Sequence, residues 1–140
     1  MVRYAKPEDT MEIAMMMKAM ATELYPEHAS WDDNVYWDET FKCMEDSDYS
    51  VFVDDELRGF FIVKDDHDPI FPTIKRYIGT KVYIAPSHRK GRLLRQFYDK
   101  LFEEFPDGDI LGLTEINSEH IPVLNKRHEH IANVYKLKRR

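Results

Sequence analysis

The sequence predicts an α/β fold, with an α+β mixed sheet that is antiparallel in its first half and has a βαβ unit at its centre. Two β-rich runs, 50–53 and 57–64, flank an Asp-Asp-Glu turn and predict an antiparallel hairpin. Residues 83–101 then show the pattern of a strand, a break at Pro86 and a helix with an apolar stripe. A strand predicted at 110–116 completes the βαβ unit.

The first half adds a strand at 2–4 and two helices. Pro7 suits the first turn of a helix, where its missing N–H costs nothing, and Pro26 ends that helix. Helical spacing predicts an inner face of Ile13, Met17, Met20, Ala21 and Leu24. The second helix is predicted at 34–44, with an inner face of Val35, Phe41 and Met44.

The second half begins with a longer strand within 74–84. A helix is predicted to start close to Gly91, with a stripe formed by Leu93, Leu94, Phe97, Tyr98, Leu101, Phe102 and Phe105. Pro106 and Gly108 break that helix before the strand at 110–116. A short helix at 118–127 and a last strand at 131–137 complete the predicted order.

Length and composition narrow the class of protein. The 140 residues fit a single domain spanning 1–140, and the net charge of -6 disfavours a nucleic-acid partner. The single cysteine, Cys43, excludes an internal disulfide and fits a reducing compartment; we interpret it as a small, half-buried thiol in a helix. No apolar run is long enough to span a membrane, so a cytoplasmic protein is expected.

Two clusters contain residue types that bind metals, but their spacing does not favour a metal site. Residues 65–68 combine three aspartates with His67, and we interpret them as a solvated turn. The histidines of the second cluster are irregularly spaced across a predicted helix–strand junction: His120, His128 and His130. We therefore expect no metal.

The central segment Tyr83-Ile84-Ala85-Pro86-Ser87-His88-Arg89 is similar to the strand ending in V-x-P-x-x-R of the GNAT superfamily of acyl-CoA-dependent N-acyltransferases. Other stretches resemble that family more weakly: the opening 2–9, the hairpin 51–63 with Gly59, Asn117, and Tyr135-Lys136. The resemblance implies a GNAT-like fold whose βαβ unit binds acyl-CoA.

The cofactor site follows from this resemblance and from the physics of a strand that turns into a helix. Unpaired N–H groups and the helix dipole make such a turn an anion site, which suits the CoA pyrophosphate. Acetyl-CoA is the expected co-substrate. The residues expected to bind it are Val82, Tyr83, Ile84, Arg89, Lys90, Gly91, Arg92, Leu93, Leu94 and Asn117.

The sequence departs from the family pattern in the loop. The family usually has R-x-x-G-x-G or R-x-x-G-x-A, whereas Arg92 and Leu94 stand at the glycine positions and Gly91 comes one residue early. Either the loop uses Gly91 in an altered path, or the cofactor site is weakened. Leu124 stands where many members have the tyrosine that protonates the leaving thiolate.

Amide formation needs a base for the amine and an acid for the thiolate. Glu115 or His120 is the candidate base, and Tyr83 or His120 is the candidate acid. Trp31 and Trp37, beside Tyr36, either line a substrate groove or cap the core.

The predicted function is transfer of an acetyl group from acetyl-CoA to a primary amine of a small molecule or a protein. One alternative is a GNAT-like binding or regulatory module without catalysis. Another is acyl modification of a nucleic-acid base, which only the basic C-terminal residues favour. Because the chain ends at Arg140, with little room for the last strands of the family, a homodimer that completes the sheet edge is expected.

Overall fold

One sheet with strand order β1-β2-β3-β4-β5 organises the computed structural model, which describes residues 1–112, 129 and 135–139. The first four strands are antiparallel neighbours, and β5 pairs with β4 in parallel. The strands are β1 Val2–Tyr4, β2 Tyr49–Asp54, β3 Gly59–Asp65, β4 Arg76–Ile84 and β5 Asp109–Leu111. The predicted fold class is confirmed: an antiparallel first half is followed by a βαβ unit.

Helices cover both faces of this sheet. A short 3-10 turn, Pro7–Asp9, leads into α1 (Thr10–Leu24), and α2 (Asp33–Glu45) packs beside α1 on one face. The other face is covered by α3 (Leu93–Glu104), which connects β4 to β5.

Successive side chains of β2 and β3 point to opposite faces of the sheet and so contribute to both halves of the core. Val51 and Val53 point toward α1 and α2, whereas Phe52 between them points toward α3. On the α1–α2 face the sheet meets Ile13, Met17, Tyr36 and Cys43; on the α3 face it meets Leu93, Phe97 and Leu101. The βαβ unit is therefore held by an apolar layer under α3.

The turn between β2 and β3 holds the start of β3 against the end of β4. Leu57 adopts the left-handed conformation, with φ 54°, and its N–H donates to the Asp54 carbonyl at 2.8 Å. Gly59 then lies opposite Ile84, and a Cβ on Gly59 would stand 2.7 Å from the Tyr83 carbonyl oxygen. Only glycine allows this close approach of the two strands.

The helices are where expected, but some predicted inner residues are exposed. In α2 the buried positions are Tyr36, Thr40 and Cys43, so Val35 and Phe41 lie at the borders of the inner face. Leu24 is the last residue of α1 and is exposed, and Phe102 is turned outward next to the buried Leu101. The predicted inward positions of Val35, Phe41, Leu24 and Phe102 were wrong.

At the C-terminus, Tyr135 to Leu137 form no strand and are exposed, so that end of the predicted strand 131–137 was wrong. The predicted helix at 118–127 and the end of the strand predicted at 110–116 lie outside the described residues.

Candidate functional site

The loop between β4 and α3 begins at Pro86, which cannot donate to a ladder. Pro86–His88 form a single 3-10 turn, and the Gly91 N–H donates to the His88 carbonyl at 3.3 Å. Arg92 is the N-cap residue of α3, and no side chain of the described residues caps this helix start. The N–H groups of the first turn of α3 therefore have neither an intrahelical partner nor a side-chain cap.

The missing glycines cause no backbone strain in this loop. Arg92 has φ -89° and ψ 0°, the bridge conformation found at the third residue of type I turns, which does not require glycine, and Leu94 lies within α3. A Cβ on Gly91 would meet only the His88 carbonyl oxygen, at 3.5 Å, which is a normal contact. The side chains of Arg92 and Leu94 are thus compatible with the turn as it stands.

A cleft of about 280 Å³ opens beside the start of α3. It contains no carboxylate, and its lining joins the loop to the β2–β3 turn: Arg58, Ser87, His88, Gly91, Arg92 and Gln96. Arg58 was not predicted from the sequence. Its place beside the loop follows from the register of β3 against β4: Gly59 lies opposite Ile84, and the Ala85 N–H donates to the Arg58 carbonyl oxygen at 2.8 Å. The cleft has the polarity that an anionic group requires.

Arg89 fastens the loop to two other elements. Its Nε donates to the carbonyl oxygen of Ile84 at 2.8 Å, and its Nη1 and Nη2 both donate to Glu23 near the end of α1, with Nη2–Oε2 at 2.6 Å. This bidentate bond lowers the pKa of Glu23. The guanidinium also stands over the Tyr83 ring, 5.7 Å from its centroid. Arg89 is therefore already engaged with protein groups.

Tyr83 and Val82 occupy opposite faces of β4. Tyr83 pairs with Phe60 on the α1–α2 face, and the two ring centroids are 6.3 Å apart. Among the described residues, the Tyr83 hydroxyl has no hydrogen-bond partner. Val82 pairs with Phe61 on the α3 face and is 45% exposed, next to the buried Ile84. The structure thus places the predicted residues Val82, Tyr83 and Ile84 at the start of the loop.

A bulge interrupts β4 before these residues. Ile62 pairs with Lys81 and Val63 with Gly79, so Thr80 is an extra residue in β4. Within the described residues, β4 pairs with β5 only from Arg76 to Ile78. Bulges bend a strand and re-aim its groups, and they are common beside active sites. The segment from the bulge to Ile84 is where the sequence predicts the cofactor strand.

Several other predicted features can be placed. Lys90 and Arg92 are exposed and have no ion pair among the described residues. Trp31 is 91% exposed and does not cap the core, whereas Tyr36 is buried. Trp37 is partly buried and helps to line a cleft of about 90 Å³ between α1 and α2. The predicted residues outside the described part of the chain are Glu115, Asn117, His120, Leu124, His128 and His130.

Cys43 lies in α2, as predicted, but it is fully buried rather than half-buried, and that burial raises the pKa of its thiol. The described residues contain no cluster of three or more potential metal ligands, and residues 65–68 form no such group. None of the helices in that part of the chain has the length and apolar content needed to cross a membrane.

Comparisons with known proteins identify the fold. No family model and no curated protein matches the sequence. Among solved structures, a possible acetyltransferase from Clostridium difficile 630 has a TM-score of 0.79 at 13% identity, over 99% of this chain and 96% of the other.

Two further solved structures have names that specify their acceptors. Ribosomal-protein-alanine N-acetyltransferase from Brucella melitensis biovar Abortus 2308 has a TM-score of 0.73 at 16% identity, over 99% of this chain and 97% of the other. Aminoglycoside N-acetyltransferase AAC(6')-Iy in complex with CoA has a TM-score of 0.73 at 14% identity, over 100% and 94%. The chain therefore has the GNAT fold, as its central motif predicted.

Proposed function

We propose that this protein is an N-acyltransferase that binds acetyl-CoA and transfers its acetyl group to a primary amine of a small molecule or a protein. The observation that carries this proposal is the cleft at the start of α3, which is lined by arginines and contains no carboxylate. The uncapped N–H groups of α3 add donors and the positive end of a helix dipole. The fold adds support, because the chain resembles a CoA complex over its full length.

The residues present fit the CoA pyrophosphate. Arg92 lines the cleft, and Lys90 stands next to Gly91 in the same loop. Leu93 and Leu94 begin the uncapped first turn, where their N–H groups have no partner within α3. Val82 and Ile84 would flank the pantetheine chain along β4, and Asn117 keeps the cofactor role that the sequence resemblance implies.

The chemistry is nucleophilic substitution at the thioester carbonyl. A C–N bond forms between the acceptor amine and the carbonyl carbon, the C–S bond breaks, and the sulfur leaves as a thiolate. One proton must leave the amine and one must reach the sulfur. We assign the first transfer to Glu115 or His120. For the second, the Tyr83 hydroxyl on β4, which has no hydrogen-bond partner within the described residues, is a candidate, and His120 is the alternative.

The assay that tests this function measures free thiol released from acetyl-CoA in the presence of amines. The panel should contain a polyamine, an aminoglycoside and a peptide with a free N-terminal alanine. We expect at least one of them to accelerate thiol release above the rate of hydrolysis without amine, with an acetylated product of matching mass. If CoA binds but every amine leaves the rate unchanged, the transferase function is wrong.

A binding module without catalysis is the second candidate. Its support is specific: Leu124 stands at the position of the family tyrosine, and Arg89 is engaged with Glu23. Such a module would bind CoA or acetyl-CoA equally well and would release no thiol. Modification of a nucleic-acid base has no comparable support, since its only indication is the basic end of the chain.

A further inference from the structure

The cations around the loop differ in what they already bind. Arg89 uses three N–H groups on Ile84 and Glu23. Arg58 donates from Nε and Nη2 to the buried Asp54, at 2.5 and 3.0 Å. Each of these guanidinium groups is thus neutralised by a carboxylate of the same chain. An anion that approached either arginine would have to compete with that carboxylate.

Arg92 has the opposite surroundings. Its side chain lines the cleft together with Ser87, His88 and Gln96, none of which carries negative charge. Among the described residues, nothing forms an ion pair or hydrogen bond with its guanidinium. Its φ is negative, at -89°, so this position in the turn does not require glycine. Lys90 also has no ion pair in the described part of the chain, but it does not line the cleft.

Building on the function proposed above, we propose that the two loop arginines, Arg89 and Arg92, have different roles. Arg92 is the residue whose side chain contacts the pyrophosphate of acyl-CoA, whereas Arg89 is a positioning residue that fastens the loop to α1 through Glu23. A guanidinium at this position offers up to five N–H donors in a planar fork that matches phosphate oxygens. It replaces the close backbone approach that glycine gives in the family pattern.

The alternative for Arg92 is steric obstruction, and the two accounts predict opposite results for one substitution. In Arg92→Gly the family residue is restored. If the arginine binds the phosphate, CoA affinity falls; if the arginine crowds the phosphate, CoA affinity rises. Arg92→Gln removes the charge and keeps much of the side-chain length, so it separates loss of charge from loss of bulk.

The experiment is calorimetric titration of the full chain with CoA, dephospho-CoA and inorganic pyrophosphate. We expect Kd for CoA to rise about 10-fold or more in Arg92→Gln and Arg92→Gly, which is the range for losing a charge-assisted hydrogen bond. The loss should persist with dephospho-CoA, which lacks the 3′-phosphate. The matched control is Arg95→Gln, an exposed arginine in the first turn of α3 that does not line the cleft, with about a 2-fold change at most.

The outcomes separate this proposal from the function on which it rests. Unchanged or tighter CoA binding in Arg92→Gly, with an unchanged unfolding temperature, overturns the role of Arg92 and leaves the proposed function intact. If the wild-type chain binds inorganic pyrophosphate in an Arg92-dependent manner but not CoA, the anion contact stands and the proposed function fails. If it binds neither CoA nor pyrophosphate, both proposals fail.

Discussion

Asp54 and Arg58 form an ion pair that joins the β2–β3 turn to the cleft. The Asp54 side chain is fully buried, whereas Arg58 is 31% exposed and reaches the cleft. The Arg58 hydrogen bonds hold the pKa of the Asp54 carboxyl below its usual value. This pair therefore contributes to stability and fixes the direction of an arginine near the proposed phosphate site.

Asp54→Asn should lower the free energy of unfolding at pH 7 by about 2 kcal/mol. The cost is less than for a fully buried pair because Arg58 keeps some contact with water. The folded pKa of Asp54 lies below the unfolded value of about 3.9, so its stabilisation is complete above that pH and lost as the pH falls through the folded pKa. Urea titrations at pH 7 and pH 3 should show the difference between wild type and variant shrinking at low pH.

The control for that titration is Asp55→Asn. Asp55 is 50% exposed and pairs with Arg3, so its loss should cost less than about 1 kcal/mol. Equal effects of the two substitutions would contradict a special role of the buried carboxylate.

Tyr83→Phe tests the hydroxyl that we propose as an acid. The ring keeps its packing on Phe60, so stability and the Kd for acetyl-CoA should stay within experimental error, while kcat falls about 100-fold. Stopped-flow or continuous thiol detection measures whether kcat falls while stability and the Kd stay unchanged. Tyr77→Phe, on the same strand but packed under α3 against Phe105, is the control and should leave kcat unchanged. An unaltered kcat in Tyr83→Phe removes Tyr83 from the mechanism.

Among the elements, β4 and the loop after it connect the core to the site. The end of β4 was predictable because Pro86 cannot donate a ladder hydrogen bond, and α3 was predictable because its apolar residues have helical spacing. The apolar stripe of α3 did not show that Phe102 faces outward, because helical spacing alone does not define how wide a face of the helix is covered by the sheet. Arg58 and Glu23 were missed because their approach to the loop depends on strand register and on where α1 ends.

Two glycines at this junction should respond differently to substitution by alanine. Gly59→Ala places a Cβ 2.7 Å from the Tyr83 carbonyl oxygen, so β3 and β4 must separate, at about 1–3 kcal/mol. Gly91→Ala meets only a normal 3.5 Å contact and should change stability by less than about 1 kcal/mol. Thermal and chemical denaturation of both variants measures these two changes in stability. A strongly destabilised Gly91→Ala would mean that the loop conformation described above is wrong.

At the scale of the whole molecule, the fold leaves both proposed activities open, because one fold hosts many functions. Three features support acyl-CoA binding, which both candidates require: the bulge in β4, the start of α3 without a side-chain cap among the described residues, and the cleft without carboxylates. Glu115 and His120 were placed in the mechanism from the sequence alone. The pH dependence of kcat in Glu115→Gln and His120→Ala variants tests these two roles.

The sequence predicts a homodimer, and the edges of the sheet bear on that prediction. The β1 edge of the sheet is only three residues long, and Arg3 on it is paired with Asp9 and Asp55. A short, charged edge disfavours pairing with another chain. We therefore do not expect self-association through the β1 edge. Sedimentation equilibrium at micromolar concentration should show a dimer, and a single monomeric species would contradict it.

The most direct test of acyl-CoA binding is thermal unfolding of the wild-type chain during titration with acetyl-CoA. We predict saturable stabilisation with one site per chain, reaching about 2.7 kcal/mol when the ligand is at 100 times its Kd. Adenosine alone, which lacks the pyrophosphate, should produce much less stabilisation. An unfolding temperature that does not change at millimolar acetyl-CoA would contradict the proposed function.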